Sequence, residues 1–116
     1  SEEKKNFVKN NKSLINIINS LNSKDICDVG CGPGFLLSKI NCKNKFGIEN
    51  DLVAIRSASK FGKIYNFNLN KEFNIKKKFD LLICYHVIEH IKKPLILLNS
   101  IKKILKKKWC FDIRYS

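Results

Sequence analysis

Asp28-Val29-Gly30-Cys31-Gly32-Pro33-Gly34 is the stretch on which the reading of this chain turns. Before it, Asp25-Ile26-Cys27-Asp28-Val29 reads as a short strand that runs into a glycine loop. After it, Phe35-Leu36-Leu37-Ser38-Lys39-Ile40 predicts a helix that packs on that strand. Three glycines in five residues let the backbone turn sharply and let a ligand approach without a Cβ in the way. A glycine loop between a strand and a helix start also offers free N–H groups at the positive end of a helix dipole.

Working outward, the same alternation continues. Residues 2–21 carry Phe7, Leu14, Ile17, Ile18 and Leu21 among polar residues, a stripe that predicts one N-terminal helix ending before residue 23. Residues 45–49 predict a second strand. Asp51 is a cap for a helix running to about residue 60, with Gly62 beyond its end. Residues 63–67 predict a third strand. Residues 79–85, the most apolar run, suit a central parallel strand. Pro94 opens an amphipathic helix to about residue 105, and residues 109–113 predict a fifth strand. Strand and helix in alternation imply an α/β fold, a Rossmann-like parallel sheet of five strands with helices on both faces. We expect one domain over residues 1–116, with an N-terminal helix in 1–22 and the alternating core in 25–113.

The spacing of the loop narrows the nucleotide. A dinucleotide loop reads G-x-G-x-x-G, which from Gly30 would put glycine at position 35, where Phe35 stands. A P-loop would end in Gly-Lys-Ser/Thr, and none is present. An acidic residue, an apolar residue and Gly-x-Gly-x-Gly resembles the first motif of class I S-adenosylmethionine (SAM) dependent methyltransferases of the small-molecule type. Glu49 ends the second strand 21 residues after Asp28, and an acidic side chain there can accept two hydrogen bonds from a ribose diol. Phe79-Asp80-Leu81-Leu82-Ile83-Cys84-Tyr85-His86-Val87-Ile88-Glu89-His90 resembles the family's fourth-strand motif.

The resemblance implies SAM as cofactor and a small-molecule or lipid-like methyl acceptor. It implies a cofactor site built from Asp28, Gly30, Cys31, Gly32, Gly34, Glu49, Asn68, Leu69 and Tyr85, with Asn68 standing where the family often has an adenine-binding Asp. His86 and His90 are candidates for a general base, needed only if the acceptor is a poor nucleophile such as a hydroxyl. The family usually has seven strands, closed by an antiparallel pair. This chain stops after the fifth, and Lys106-Lys107-Lys108 replaces the usual glycine-containing turn. We therefore expect a truncated member that self-associates through the edge at residues 109–113, or that needs a further C-terminal segment or a partner.

Two rival readings accompany this one. His86-x-x-Glu89-His90 matches the H-x-x-E-H zinc hydrolase pattern, but the third ligand that zinc requires has only Asp112 to supply it downstream, and we expect no metal. The net charge of +13, from 23 basic and 10 acidic residues, suggests a non-catalytic basic module that contacts RNA or a partner subunit. Lysine carries nearly all of that charge, arginine appearing only at positions 56 and 114. Arginine is the preferred residue for bidentate phosphate recognition, so the charge reads as composition, and nucleic acid is not the favoured partner. Five cysteines (27, 31, 42, 84 and 110) contain no C-x-x-C pair and read as buried thiols in a cytoplasmic protein. No apolar run approaches the ~20 residues that span a bilayer.

Overall fold

The computed structural model describes residues 1–106 and 110–113. Five strands, β1 (Asp25–Val29), β2 (Asn44–Glu49), β3 (Lys63–Asn66), β4 (Leu81–Tyr85) and β5 (Cys110–Ile113), form one sheet in the order β3-β2-β1-β4-β5. Every pairing is parallel. β1 lies at the centre, with Asp28 beside Gly47 on one flank and Ile83 on the other. All five of its residues are buried, as a strand covered on both faces requires. Lys107, Lys108 and Trp109 lie outside the described residues.

Side chains alternate across the sheet and divide the core in two. Cys27, Val29, Leu82 and Cys84 face α4 (Pro94–Ile104), which buries Leu97, Ile101 and Ile104 at spacings of four and three. Ile26, Leu81 and Ile83 face the opposite side, against Ile15, Ile18 and Leu37. Each such aliphatic side chain stabilises the fold by about 1.5–3 kcal/mol relative to full exposure. Asp28 and Tyr85 share the parity of Ile26 and Ile83, so both look towards the N-terminal helices at the carboxyl ends of their strands.

Two expected helices differ. The N-terminal segment is two helices, α1 (Glu2–Asn10) and α2 (Lys12–Ser20), separated at Asn11 with φ −120° and ψ 24°. The Asn11 amide side chain donates to the carbonyl of Phe7 at 2.8 Å, a local bond that competes with a continuous helix. The predicted helix over residues 35–40 is a single 3-10 turn, Leu37–Lys39. Ile40 is already extended, and the Asn41 amide is held by the Asn19 side chain at 2.8 Å, so the chain turns towards β2 before a second helical turn can form. The helix after β2 is α3 (Leu52–Ala58), with Asp51 Oδ2 accepting from the Ala54 amide at 2.9 Å as its N-cap. Among the described residues no helix is long and apolar enough to cross a membrane.

Candidate functional site

The carboxyl ends of β1, β2 and β4 and the chain after β3 meet at one edge of the sheet. The glycine loop leaves β1 under tight control: the amides of Gly30 and Cys31 both donate to the Ile48 carbonyl, at 2.8 and 3.0 Å. The Gly32 amide donates to Glu49 Oε1 at 2.9 Å. Glu49 Oε2 in turn accepts from the amides of Asn50 and Asp51, both at 3.0 Å. One carboxylate thus organises the end of β2 and the crown of the loop. Gly32 has φ +57°, and a Cβ built on it meets nothing within 4 Å: the crown of the loop opens to space beside that carboxylate.

Behind the loop, Asp28 is 3% exposed and its Oδ1 has no hydrogen-bond partner. Burial, and then the Glu49 carboxylate nearby, push its pKa up to about 8. A buried orphan acceptor costs about 1–3 kcal/mol, a cost that a donor arriving from outside would relieve. Burial also raises the Cys31 thiol, followed by the carboxyls of Asp28 and Glu49, so this cysteine is a poor nucleophile.

In front of the loop lies a cleft of about 200 Å³, lined by Asp28, Gly30 and Gly32 and by the rings of Phe7, Phe35 and Tyr85. The Tyr85 hydroxyl donates to Asn11 Oδ1 at 2.8 Å, which ties the junction of α1 and α2 to the end of β4. Phe7 and Phe35 are absent from the sequence-derived set. Nothing local marks Phe7, which reads as part of the packing stripe; the break at Asn11 is what brings its ring over the loop.

The remaining expected residues lie around this centre. A Cβ on Gly30 would lie 2.8 Å from Val87 Cγ2 and 3.5 Å from Leu69 Cδ1, so Leu69 does come to the loop. Asn68 is exposed and its Oδ1 accepts from the Asn70 amide at 2.9 Å, forming a turn. Asn70 Oδ1 accepts from the Lys92 amide at 2.9 Å and so joins the segments that follow β3 and β4. His86 has φ +53°, a left-handed backbone uncommon for a non-glycine residue and concentrated at functional sites. Its Nδ1 lies 3.3 Å from Glu89 Oε1, and His90 Nε2 lies 3.8 Å from the same oxygen. The zinc reading needs both histidines on one helix face. Instead His86 lies in the turn at the strand end and only Ile88–His90 forms a 3-10 turn. Among the described residues no group of three or more His, Cys, Asp or Glu side chains is placed to hold a metal ion.

A family model described as "Methyltransferase domain" matches residues 7–111, most of the chain. The chain belongs to the methyltransferase domain family. A ubiquinone biosynthesis O-methyltransferase from Actinobacillus pleuropneumoniae serotype 7 is 31% identical to it over 103 residues, covering 76% of this chain and 44% of the relative. A protein of the same description from Rickettsia bellii (strain OSU 85-389) is 29% identical over 98 residues, covering 77% and 41%. This methyltransferase domain therefore spans less than half the length of those curated relatives. Among solved structures, an SAM-bound amino pentose methyltransferase from Micromonospora echinaspora superposes with a TM-score of 0.70 at 15% identity, covering 84% of this chain and 45% of that one. An SAM-dependent methyltransferase from Clostridium acetobutylicum gives 0.62 at 21%, covering 74% and 40%. At these identities the superpositions establish the Rossmann-like fold of the domain.

Proposed function

We propose that residues 1–116 form one SAM-binding domain that transfers a methyl group to an oxygen of a small-molecule acceptor. The observation that carries this reading is the pairing of open Gly32 with the Glu49 carboxylate 2.9 Å from its amide. That ledge offers a close backbone approach and an acceptor for a diol on the same side of the loop.

The chemistry of the donor set supports the cofactor. Glu49 would take the ribose hydroxyls, and Asn68 and Leu69 would border the adenine. Asp28, Gly30, Cys31, Gly32, Gly34 and the backbone at Tyr85 would hold the methionyl end. There the orphan Oδ1 of Asp28 awaits a donor. The bound group supplies a methyl already activated on a sulfonium, so the protein's contribution is alignment and exclusion of water.

Oxygen as the accepting atom is supported by the curated relatives, which are named as O-methyltransferases of ubiquinone biosynthesis. The same name favours a lipid-like acceptor. A hydroxyl needs a proton acceptor. His86, beside the cleft through its 4.2 Å ring contact with Tyr85 and oriented by Glu89, would take that proton, with the exposed His90 as the other candidate.

Calorimetry on this chain with SAM, S-adenosylhomocysteine, NAD and ATP tests the reading. SAM and its demethylated product are expected to bind in preference to the other two. Tighter binding of NAD would overturn it.

A further inference from the structure

Serine hydroxyls in helices and turns commonly bond back to their own turn, and two in this chain do so. Ser20 Oγ donates to the Ile17 carbonyl at 2.6 Å, and Ser38 Oγ donates to the Phe35 carbonyl at 2.7 Å. Ser57, in α3, does otherwise. Its half-buried hydroxyl reaches across 24 residues of sequence and donates to the Pro33 carbonyl of the glycine loop at 2.9 Å. α3 comes this close because position 34 is glycine: a Cβ there would lie 2.9 Å from the Cα of Ala58, the residue after Ser57. Both groups of the peptide unit after Pro33 are then committed, the carbonyl to Ser57 and the Gly34 amide to the Cys31 carbonyl at 3.2 Å. One residue earlier, the Gly32 amide is held by Glu49. The β2–α3 unit thus clamps the crown of the loop at two points, from the strand end through Glu49 and from the helix through Ser57.

We propose, resting on the SAM reading, that Ser57 is a positioning residue for the cofactor. By holding the Pro33 carbonyl, its hydroxyl keeps the crown of the loop in the shape that binds SAM, without touching the ligand itself. The two points of the clamp differ once a ligand arrives. Glu49 is the acceptor assigned to the ribose hydroxyls, so its oxygens are shared between the ligand and the Gly32 amide. Ser57 is absent from the lining of the cleft, and its bond to Pro33 uses no atom assigned to the ligand. It is the point of the clamp that holds through binding. Without it, a loop with positive φ at Gly30, Gly32 and Gly34 has other backbone conformations open to it. The apparent affinity then falls with the fraction of molecules whose loop has left the competent shape.

Calorimetry with SAM on the parent and four variants, well below each thermal midpoint, tests this. Ser57→Ala and Ser57→Val remove the hydroxyl, and alanine, the better helix former, is expected to fold. Ser57→Thr restores the hydroxyl in the shape of valine. Ile104→Val is the stability control: it removes one methyl group from a fully buried side chain whose carbonyl accepts from the Phe79 amide, at the end of the sheet away from the loop. Ser57→Ala and Ser57→Val are expected to bind SAM about fivefold more weakly, the worth of one hydrogen bond. Ser57→Thr and Ile104→Val should stay within about twofold of the parent. In ligand-free protein, amide hydrogen exchange at Gly32 and Gly34 should quicken in Ser57→Ala and stay parental in Ser57→Thr. Parental affinity in both hydroxyl-free variants, or equal weakening in Ser57→Thr or Ile104→Val, would overturn the role of Ser57 and leave SAM binding standing. A parent that binds no SAM would overturn the SAM reading and the role of Ser57 together.

Discussion

Glu49 Oε1 accepts a hydrogen bond from the Gly32 amide at 2.9 Å, joining the end of β2 to the crown of the loop that leaves β1. The same carboxylate accepts from Asn50 and Asp51. Sequence reasoning assigns Glu49 to the ribose alone. The structure gives it three backbone donors as well. Glu49→Ala is therefore expected to weaken SAM binding by about 2–4 kcal/mol and to lower folding stability by about 1 kcal/mol. Calorimetry and urea denaturation measure the two separately. A variant with parental affinity would remove Glu49 from the site.

Asp28 gives the domain a pH dependence of known sign. Its carboxyl titrates near 8 in the folded chain and near 4 when unfolded. Between those values the folded state holds a proton that the unfolded state has released. The contribution is therefore full below about pH 4, declines as pH rises and levels off above about pH 8. Relative to Asp28→Asn, which cannot ionise, the parent should lose stability between pH 5 and 8 at on the order of 1 kcal/mol per pH unit. Urea midpoints of both proteins across that range give the difference, and parallel curves would show an Asp28 that stays ionised.

Alanine at two glycines of the loop should separate the cost to folding from the cost to binding. At Gly34, φ is +92° and a Cβ would lie 2.9 Å from Ala58 Cα and 3.0 Å from Phe61 Cδ2. Gly34→Ala is expected to cost about 3 kcal/mol or more of stability through strain and overpacking. Gly32→Ala meets no neighbour and should cost only about 1–2 kcal/mol for its left-handed backbone. It should nevertheless abolish SAM binding, because its methyl group fills the open ledge. Thermal melts and calorimetry on the pair check this, and a Gly32→Ala that still binds would move the ligand off the loop.

β5 pairs with β4 on one side, and among the described residues no strand lies on its other side. A free edge is a template for another chain. Light scattering on the isolated 116-residue chain over a range of concentrations should find species heavier than a monomer. A monomer at every concentration would mean that this edge is protected.

Much of this architecture was legible locally. Asp28 to Gly34 announce their loop because positive φ at Gly30, Gly32 and Gly34 demands glycine. Asp51 announces its helix because a short acidic side chain before an apolar run satisfies the free amide of Ala54. The unread parts depend on tertiary partners. The apolar stripe from Phe7 to Leu21 keeps its period across Asn11, so only the bonds from Asn11 to Phe7 and Tyr85 reveal the break. Residues 35–40 have helical apolarity, but the tether of Asn41 to Asn19 leaves room for one turn. Phe7 and Phe35, distant from each other in sequence, become a site only when α1 docks.

The order β3-β2-β1-β4-β5 also dictates a timetable. Of the five strands described, β1 leaves the ribosome first, yet its second neighbour, β4, begins only at Leu81. After β2 is complete at Glu49, another 36 residues must emerge before β4 ends at Tyr85. At ~5–20 residues per second that is a wait of about 2–7 seconds. Throughout it, the flank of β1 destined for β4 has no native partner, and the strand displaying it is buried on every residue in the finished fold. The nascent chain is thus most vulnerable to mispairing at its future centre, and a codon-level slowing between β2 and β4 should harm the yield of this domain more than the same slowing placed after β4.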